Sequence, residues 1–343
     1  MAINSRILER DDPINKGKLV QMSIGANKID ISVVIPVFMG SQTIDELHSR
    51  LIKTLEELTP RETIQIVLVD DNSLDNTWER ILNIAENDER VIGIKLSRNF
   101  GQHAALTAGL NLAEGNWIIV MDCDLQDIPE EIPKMFRFTQ DGYQVIVGIK
   151  QSRKDPKFKI FTSNFFNFAY RKLTDNNLKS NIGNFGVYSN KVIHSILKMP
   201  EQNRSFGLLA LWVGYSRKEV LIDHAPRLSG TSNYNFRKRY RLAIDSLISY
   251  SNKVLNLTVY CGLFISFIAF LAAVLTLVRY ILYGNPASGW TSTIIVILFS
   301  IGIQLTALGV LALYIGKIYD EVKKRPLYLI EKIYQGGKTQ HEH

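Results

Sequence analysis

The sequence predicts an α/β protein in which a doubly wound, mostly parallel sheet is followed by a two-helix transmembrane hairpin. Three observations predict it. Short β-branched runs alternate with amphipathic helical segments from residue 31 to residue 150. Polar clusters stand where those runs end, the place at which such sheets bind ligands. Between residues 254 and 316 the only formally charged side chain is Arg279. The 343 residues, 46% hydrophobic and 21% charged, exclude wholesale disorder and suit one large domain or two modules. Two cysteines, Cys123 and Cys261, are too few for a disulfide framework or a zinc site, and a reducing compartment is expected.

Residues 1–29 are mixed polar and charged with no apolar h-region, so a mobile leader is expected rather than a secretory signal. Residues 31–38 read as a strand buried on both faces. Ile44, Leu47, Leu51, Leu55 and Leu58 then recur at helical spacing, with Thr43 and Glu46 placed for a capping box. A strand over 64–69 runs into Asp70-Asp71-Asn72-Ser73. Further strands are expected over 91–96, 117–121 and 143–149, the fourth ending in Asp122-Cys123-Asp124. No GxGxxG follows the first strand and no GxxxxGK[ST] occurs, which leaves a dinucleotide dehydrogenase and a P-loop ATPase without support.

Residues 254–278 are uncharged throughout, and 25 residues at ~1.5 Å rise span a hydrocarbon core of about 30 Å. Residues 291–316 repeat the pattern after a Gly- and Pro-containing connector with aromatic ends. Two buried helices of a soluble core are the competing reading, disfavoured because core helices seldom run so long without charge. The net charge of +7 brackets this hairpin, with six basic residues against one acid over 227–253 and six against four over 317–343. The positive-inside rule then places both ends in the cytoplasm. The basic stretch faces anionic headgroups rather than nucleic acid. The resulting division is a leader (1–29), a cytoplasmic α/β domain (30–233), a juxtamembrane amphipathic helix (234–253), the hairpin (254–316) and a cytoplasmic tail (317–343). A second interfacial segment, 158–173, mixes phenylalanines with lysine and arginine; packing into the protein's own core or an oligomer contact is its alternative.

Asp122 and Asp124 lie two apart on an extended segment, which puts both carboxylates on one side. Hard oxygen donors of this kind suit Mg²⁺ or Mn²⁺ completed by substrate phosphates. In the context Met121-Asp122-Cys123-Asp124-Leu125-Gln126-Asp127, the pattern resembles the metal-binding stretch of family 2 glycosyltransferases, specifically the polyprenyl-phosphate sugar transferases. Further segments carry the same resemblance: Val33-Val34-Ile35-Pro36-Val37, the Asp70-Asp71-Asn72-Ser73 turn, Ser97-Arg98-Asn99-Phe100-Gly101-Gln102, Arg227-Leu228-Ser229-Gly230, and Gly316 to Pro326 after the hairpin.

The resemblance implies a GT-A-type fold, a nucleotide-sugar donor, a polyprenyl-phosphate acceptor, a divalent metal and a homo-oligomer. It implies that Pro36, Asp70, Asp71 and Asp122 face the nucleotide. Asp124, with Gln126 and Asp122, would hold the metal. Arg227 would contact phosphates in a late acceptor-side loop. Lys150, Arg153, Lys157 and Lys159 would supply cations for the donor and lipid phosphates, or else form a solvated basic face. Asp127 would act as a base or, the favoured reading, order the loop. Three positions depart from the family pattern: Phe38-Met39-Gly40 lacks an acidic contact, Asn184 replaces an aspartate beside the reaction centre, and Asn233 replaces a lysine. The implied reaction is inverting transfer of one sugar, with UDP-glucose and undecaprenyl phosphate as default substrates, by a multi-pass protein of the inner (cytoplasmic) membrane. A lipid phosphate is already ionised near neutral pH and needs no obligatory base. A processive polysaccharide synthase and a catalytically silent membrane scaffold are the rivals.

Overall fold

The computed structural model describes residues 29–150, 182–223, 253–283, 289–336 and 338–340. Its centre is four parallel strands, β1 (Ile31–Val37), β2 (Ile64–Asp70), β3 (Val91–Leu96) and β4 (Trp117–Val120), in the order β4-β1-β2-β3. Every residue of β1 and β2 is buried, which explains why both read as continuous apolar runs rather than alternating ones. The crossovers are α1 (Ile44–Glu56), α2 (Thr77–Asn87) and α3 (Gln102–Leu112). Leu47, Leu51 and Leu55 of α1 join one side of the sheet in the core, while Ala105, Leu106 and Ala108 of α3 join the other. The α/β, doubly wound expectation holds at this centre.

The flanks are less parallel than the sequence suggests. A short α4 (Ile132–Phe136) leads to β5 (Val145–Lys150), and then β6 (Ile182–Ser189) enters antiparallel to both β4 and β5. Helices α5 (Asn190–Leu197) and α6 (Phe206–Trp212) precede β7 (Arg217–Ile222), which pairs parallel with β5. Beyond two long helices, α7 (Lys253–Tyr283) and α8 (Trp290–Val322), come β8 (Ile330–Gln335) and β9 (Lys338–Gln340). β8 pairs antiparallel with β3, so residues after α8, read above as a tail, form part of the sheet. The full order is β7-β5-β6-β4-β1-β2-β3-β8-β9.

The capping box at α1 does not form. Thr43 sits at the N-cap without a side-chain cap bond; its hydroxyl donates instead to the Cys123 carbonyl, 2.7 Å away. A tertiary acceptor 80 residues along the chain has displaced the local one. Along α7 and α8 apolar side chains stand outward, including Phe264, Leu275, Phe299 and Ile315, each 63–69% exposed. Among the described residues one segment, Phe299–Val322, is long and apolar enough to cross a membrane by length and composition.

Candidate active site

The loops at the carboxyl ends of the four parallel strands converge, and each carries a residue in the left-handed region. These are Met39 after β1 (φ 54), Asn72 after β2 (φ 55), Gly101 after β3 (φ 96) and Leu125 after β4 (φ 57). Asparagine tolerates that conformation, but methionine and leucine adopt it at a cost, and such strain persists only where the surroundings hold it. Cross-loop hydrogen bonds supply that hold. The Met39 amide donates to the Ser73 hydroxyl (2.9 Å) and the Gly40 amide to the Thr77 hydroxyl (3.0 Å), which tie the β1 loop to the β2 loop. The Thr43 bond to Cys123 ties it to the β4 loop. Gly40 is buried, and a Cβ there would lie 2.7 Å from Val37 Cγ1. Where the resemblance implies an acidic residue, a side chain in this chain would have to displace Val37.

Asp70 and Asp71 close β2, both buried. Burial raises both carboxyl pKa values from the ordinary range, against hydrogen bonds that pull each down. The two are used differently. Asp71 accepts the amides of Phe100 (2.7 Å) and Gly101 (2.8 Å), one on each oxygen, and so pins the β3 loop. Asp70 accepts the Ser73 amide on Oδ1 (3.0 Å), while its Oδ2 is buried without a hydrogen-bond partner. A buried acceptor left open at the strand end is a fitting place for a donor from a ligand.

Opposite results are expected from the two amide substitutions. An acid whose pKa is raised by folding favours the folded state fully only at pH below its unfolded pKa; the benefit is lost as pH rises through the folded value. Asp70→Asn is therefore expected to raise the melting temperature at pH 7 and to leave it unchanged at pH 3. Asp71→Asn puts an amide N–H against a backbone N–H and is expected to cost about 1–3 kcal/mol in denaturant melts at neutral pH.

On the β4 loop, Asp124 Oδ1 accepts the Gln126 amide (3.2 Å) and Asp127 Oδ2 accepts the Asp122 amide (3.2 Å). Asp127 is buried, so its carboxylate serves here to fold the loop. Asp122 Oδ1 accepts a bond from the Gln102 side chain (2.7 Å), linking the first turn of α3 to this loop. Asp122, Asp124 and Gln126 are half-buried. Between the two carboxylates the Cys123 thiol is pushed up to about 12 by burial, which makes it a packing group rather than a nucleophile. The donor set of two carboxylates and one amide oxygen is hard and incomplete. Among the described residues no cluster of three His, Cys, Asp or Glu side chains forms a closed cage. A divalent ion that keeps sites for substrate phosphates fits such a set.

Asn184 lies on β6. Gly186, two residues further along β6, pairs with Val120, the last residue of β4. Pro36 is buried within β1 beside Val69. Lys150 ends β5 opposite Ile222. Arg227, Arg153, Lys157, Lys159 and Asn233 lie outside the described residues, as do the interfacial segment 158–173 and most of 234–253. Sequence reading missed Gln102, Thr43, Ser73 and Thr77 as site builders. All but Thr43 stand in segments that carry the family resemblance, Ser73 and Thr77 in the turn after Asp70-Asp71 and Gln102 at the end of Ser97 to Gln102, while Thr43 reads locally as a capping residue.

Comparison with known proteins places this geometry. The model of glycosyl transferase family 2 matches residues 32–197. An uncharacterized glycosyltransferase of Synechocystis sp. is 35% identical over 308 residues, 89% of this chain and 96% of that protein. The SfII prophage-derived bactoprenol glucosyl transferase of Shigella flexneri is 35% identical over 308 residues, 90% of this chain and 99% of its own length. Among solved structures, the mannosyltransferase PcManGT from Pyrobaculum calidifontis, in complex with GDP-Man and Mn²⁺, aligns over 87% of this chain and 88% of that one at 13% identity and a TM-score of 0.46.

Proposed function

The chain belongs to the family 2 glycosyltransferases, and from that premise we propose that it moves one hexose from a nucleotide-sugar to a polyprenyl phosphate at the cytoplasmic leaflet. UDP-glucose and undecaprenyl phosphate are the proposed pair, by analogy with the bactoprenol glucosyl transferase relative. The observation that carries the reading is that the β3 loop joins the two acidic loops over one end of the parallel sheet, Asp71 accepting the Phe100 and Gly101 amides and Asp122 the Gln102 side chain, in a chain that continues into long, outward-apolar helices.

In this mechanism Asp70 offers its open oxygen to a nucleotide N–H or hydroxyl donor, and Asp71 holds the β3 loop in place for the same ligand. A divalent ion, Mg²⁺ or Mn²⁺, held by Asp124 with Asp122 and Gln126, would offset charge on the departing nucleoside diphosphate. Asp127 keeps the loop folded. Asn184 orients an oxygen at the reaction centre without taking a proton. Arg227, with Lys150, Arg153, Lys157 and Lys159, contributes phosphate-binding cations. The lipid phosphate attacks the anomeric carbon in line and inverts it.

The membrane arrangement has its own support in the sheet. β7 precedes α7 and β8 follows α8, yet β7 and β8 belong to one sheet. One crossing between them would strand β8 on the far side of the bilayer, so the number of crossings must be even. Phe299–Val322 is long and apolar enough to span, and the proposal has α7 span with it, which returns β8 to the side of β7. The proposed location is the inner membrane, multi-pass, with both ends cytoplasmic. Homo-oligomerisation is proposed by resemblance alone, and no nucleic-acid partner is invoked.

Incubating the purified protein with labelled UDP- or GDP-sugars, Mn²⁺ and polyprenyl phosphate is expected to yield a lipid carrying a single sugar. Long polymer would instead identify a synthase, and no turnover with any donor a scaffold.

A further inference from the structure

A cavity of about 390 Å³ opens between the β3 loop, the turn before α6 and the segment that leaves α8. Arg98, His103, Arg204 and Arg325 line it, and none of its lining residues is acidic. We propose that this cavity holds the phosphate monoester of the lipid acceptor, gripped by Arg98 and Arg325 at the foot of the membrane helix. The proposal rests on the acceptor reading above and gives it a place.

The walls are fixed by bonds that leave two guanidinium groups over. Arg204 is committed to the structure, donating to the carbonyls of Met199 (3.0 Å) and Ile196 (2.6 Å). The amide of Gln202 donates to Glu321 of α8 (2.8 Å), which ties that wall to the helix. Arg98 lies over the Phe100 ring, 4.4 Å from its centroid, a stacking that orders the guanidinium before any ligand arrives. Arg325 is exposed three residues past the end of α8 and makes no ion pair among the described residues. A phosphate monoester carries about −1.5 to −2 charge at neutral pH, a match for two guanidinium forks.

Two further features favour an anion here. α3 begins at the cavity with Gly101 at its N-cap and no side-chain cap; the Ala104 and Ala105 amides return to the Gly101 carbonyl, which leaves the amides of Gln102 and His103, both lining residues, without a partner within the helix. His103 accepts the Phe206 amide at Nδ1 (3.5 Å), which leaves Nε2 as the ring nitrogen free to donate; burial lowers its pKa. It is a donor to the phosphate and not a base.

Position links the cavity to both substrates. Gln102 lines it and reaches Asp122 from the same turn, so a phosphate held here is one side chain from the carboxylate loop. Pro326 and Leu327, in the segment that leaves α8, give the cavity an apolar edge there, where the first isoprene units would leave toward the bilayer.

The test uses the full-length protein in detergent with citronellyl phosphate, a soluble phosphate monoester carrying two isoprene units, and inorganic phosphate as a second arm. Wild-type protein is expected to bind citronellyl phosphate more tightly than inorganic phosphate. Arg98→Gln and Arg325→Gln are each expected to weaken that binding about tenfold or more. Arg325→Lys should recover part of the loss, while melting temperature and binding of UDP with Mn²⁺ stay at wild-type values. Unchanged probe binding in both glutamine variants overturns the site. Equal affinity for the two probes overturns the lipid assignment and identifies a free-phosphate site. The parent reading fails differently: wild-type protein that glycosylates no polyprenyl phosphate sinks it and this site together, whereas normal transfer with insensitive variants sinks this site alone.

Discussion

Asp124→Asn is expected to lower sugar transfer about a thousandfold while the protein melts at its parent temperature. The substitution keeps the oxygen that accepts the Gln126 amide, so the loop retains its fold. What it removes is one of two negative charges in the donor set, and with it the ability to hold a divalent ion against a diphosphate. Charge compensation of that kind is worth several kcal/mol at a transition state, and each 1.36 kcal/mol is a factor of ten in rate. Asp124→Ala should lose as much activity and some stability besides. Single-turnover transfer with Mn²⁺ in excess measures the effect. Wild-type turnover by either variant would remove the proposed role of this carboxylate.

Removing residues 323–343 is expected to abolish both a stable fold and transfer, although every candidate of the carboxylate loops remains in the chain and only Arg325, Pro326 and Leu327 of the phosphate cavity are lost with it. β8 covers the edge of β3 from Ile92 to Leu96, and without it that edge exposes unpaired amides and carbonyls. Tyr334 is buried in the core, and loss of one such aromatic side chain costs about 3–5 kcal/mol. The Ser97 amide loses the Leu329 carbonyl (2.9 Å) and Asn111 loses the Tyr328 hydroxyl (2.9 Å). Ser97 begins the loop that carries Arg98 and Gly101, so the cut also loosens the anchor of the site. Removing only residues 337–343, which include β9 but leave β8 whole, is expected to be tolerated. Size-exclusion profiles in detergent and transfer assays on both truncations check the contrast; a monodisperse, active protein lacking 323–343 would contradict it.

The comparison of the two truncations shows where sequence reading stops. Residues 330–335, Ile-Glu-Lys-Ile-Tyr-Gln, alternate too weakly and carry too much charge to announce a strand in a large sheet. They become one because β3 offers an open edge. The same holds at Thr43, whose local pattern predicts a capping box but whose hydroxyl finds the Cys123 carbonyl instead. It holds again at Asp71, which the motif places beside the nucleotide and whose oxygens also hold the amides of Phe100 and Gly101, about thirty residues away in sequence.

By itself the sequence determined the parallel α/β centre, its strands to within a residue or two, the carboxylate-bearing loops at their ends, the two long apolar helices and the family. Each of these is written in contiguous residues, as periodicity, as absence of charge or as a short motif, because backbone geometry repeats every two or 3.6 residues. The tertiary structure alone decided the antiparallel flanks, the closing of β3 by β8, the division of labour between Asp70 and Asp71, and the reach of Gln102 to Asp122. Those depend on pairs far apart in the chain, and only folding decides which open edge or unsatisfied donor a distant segment will meet.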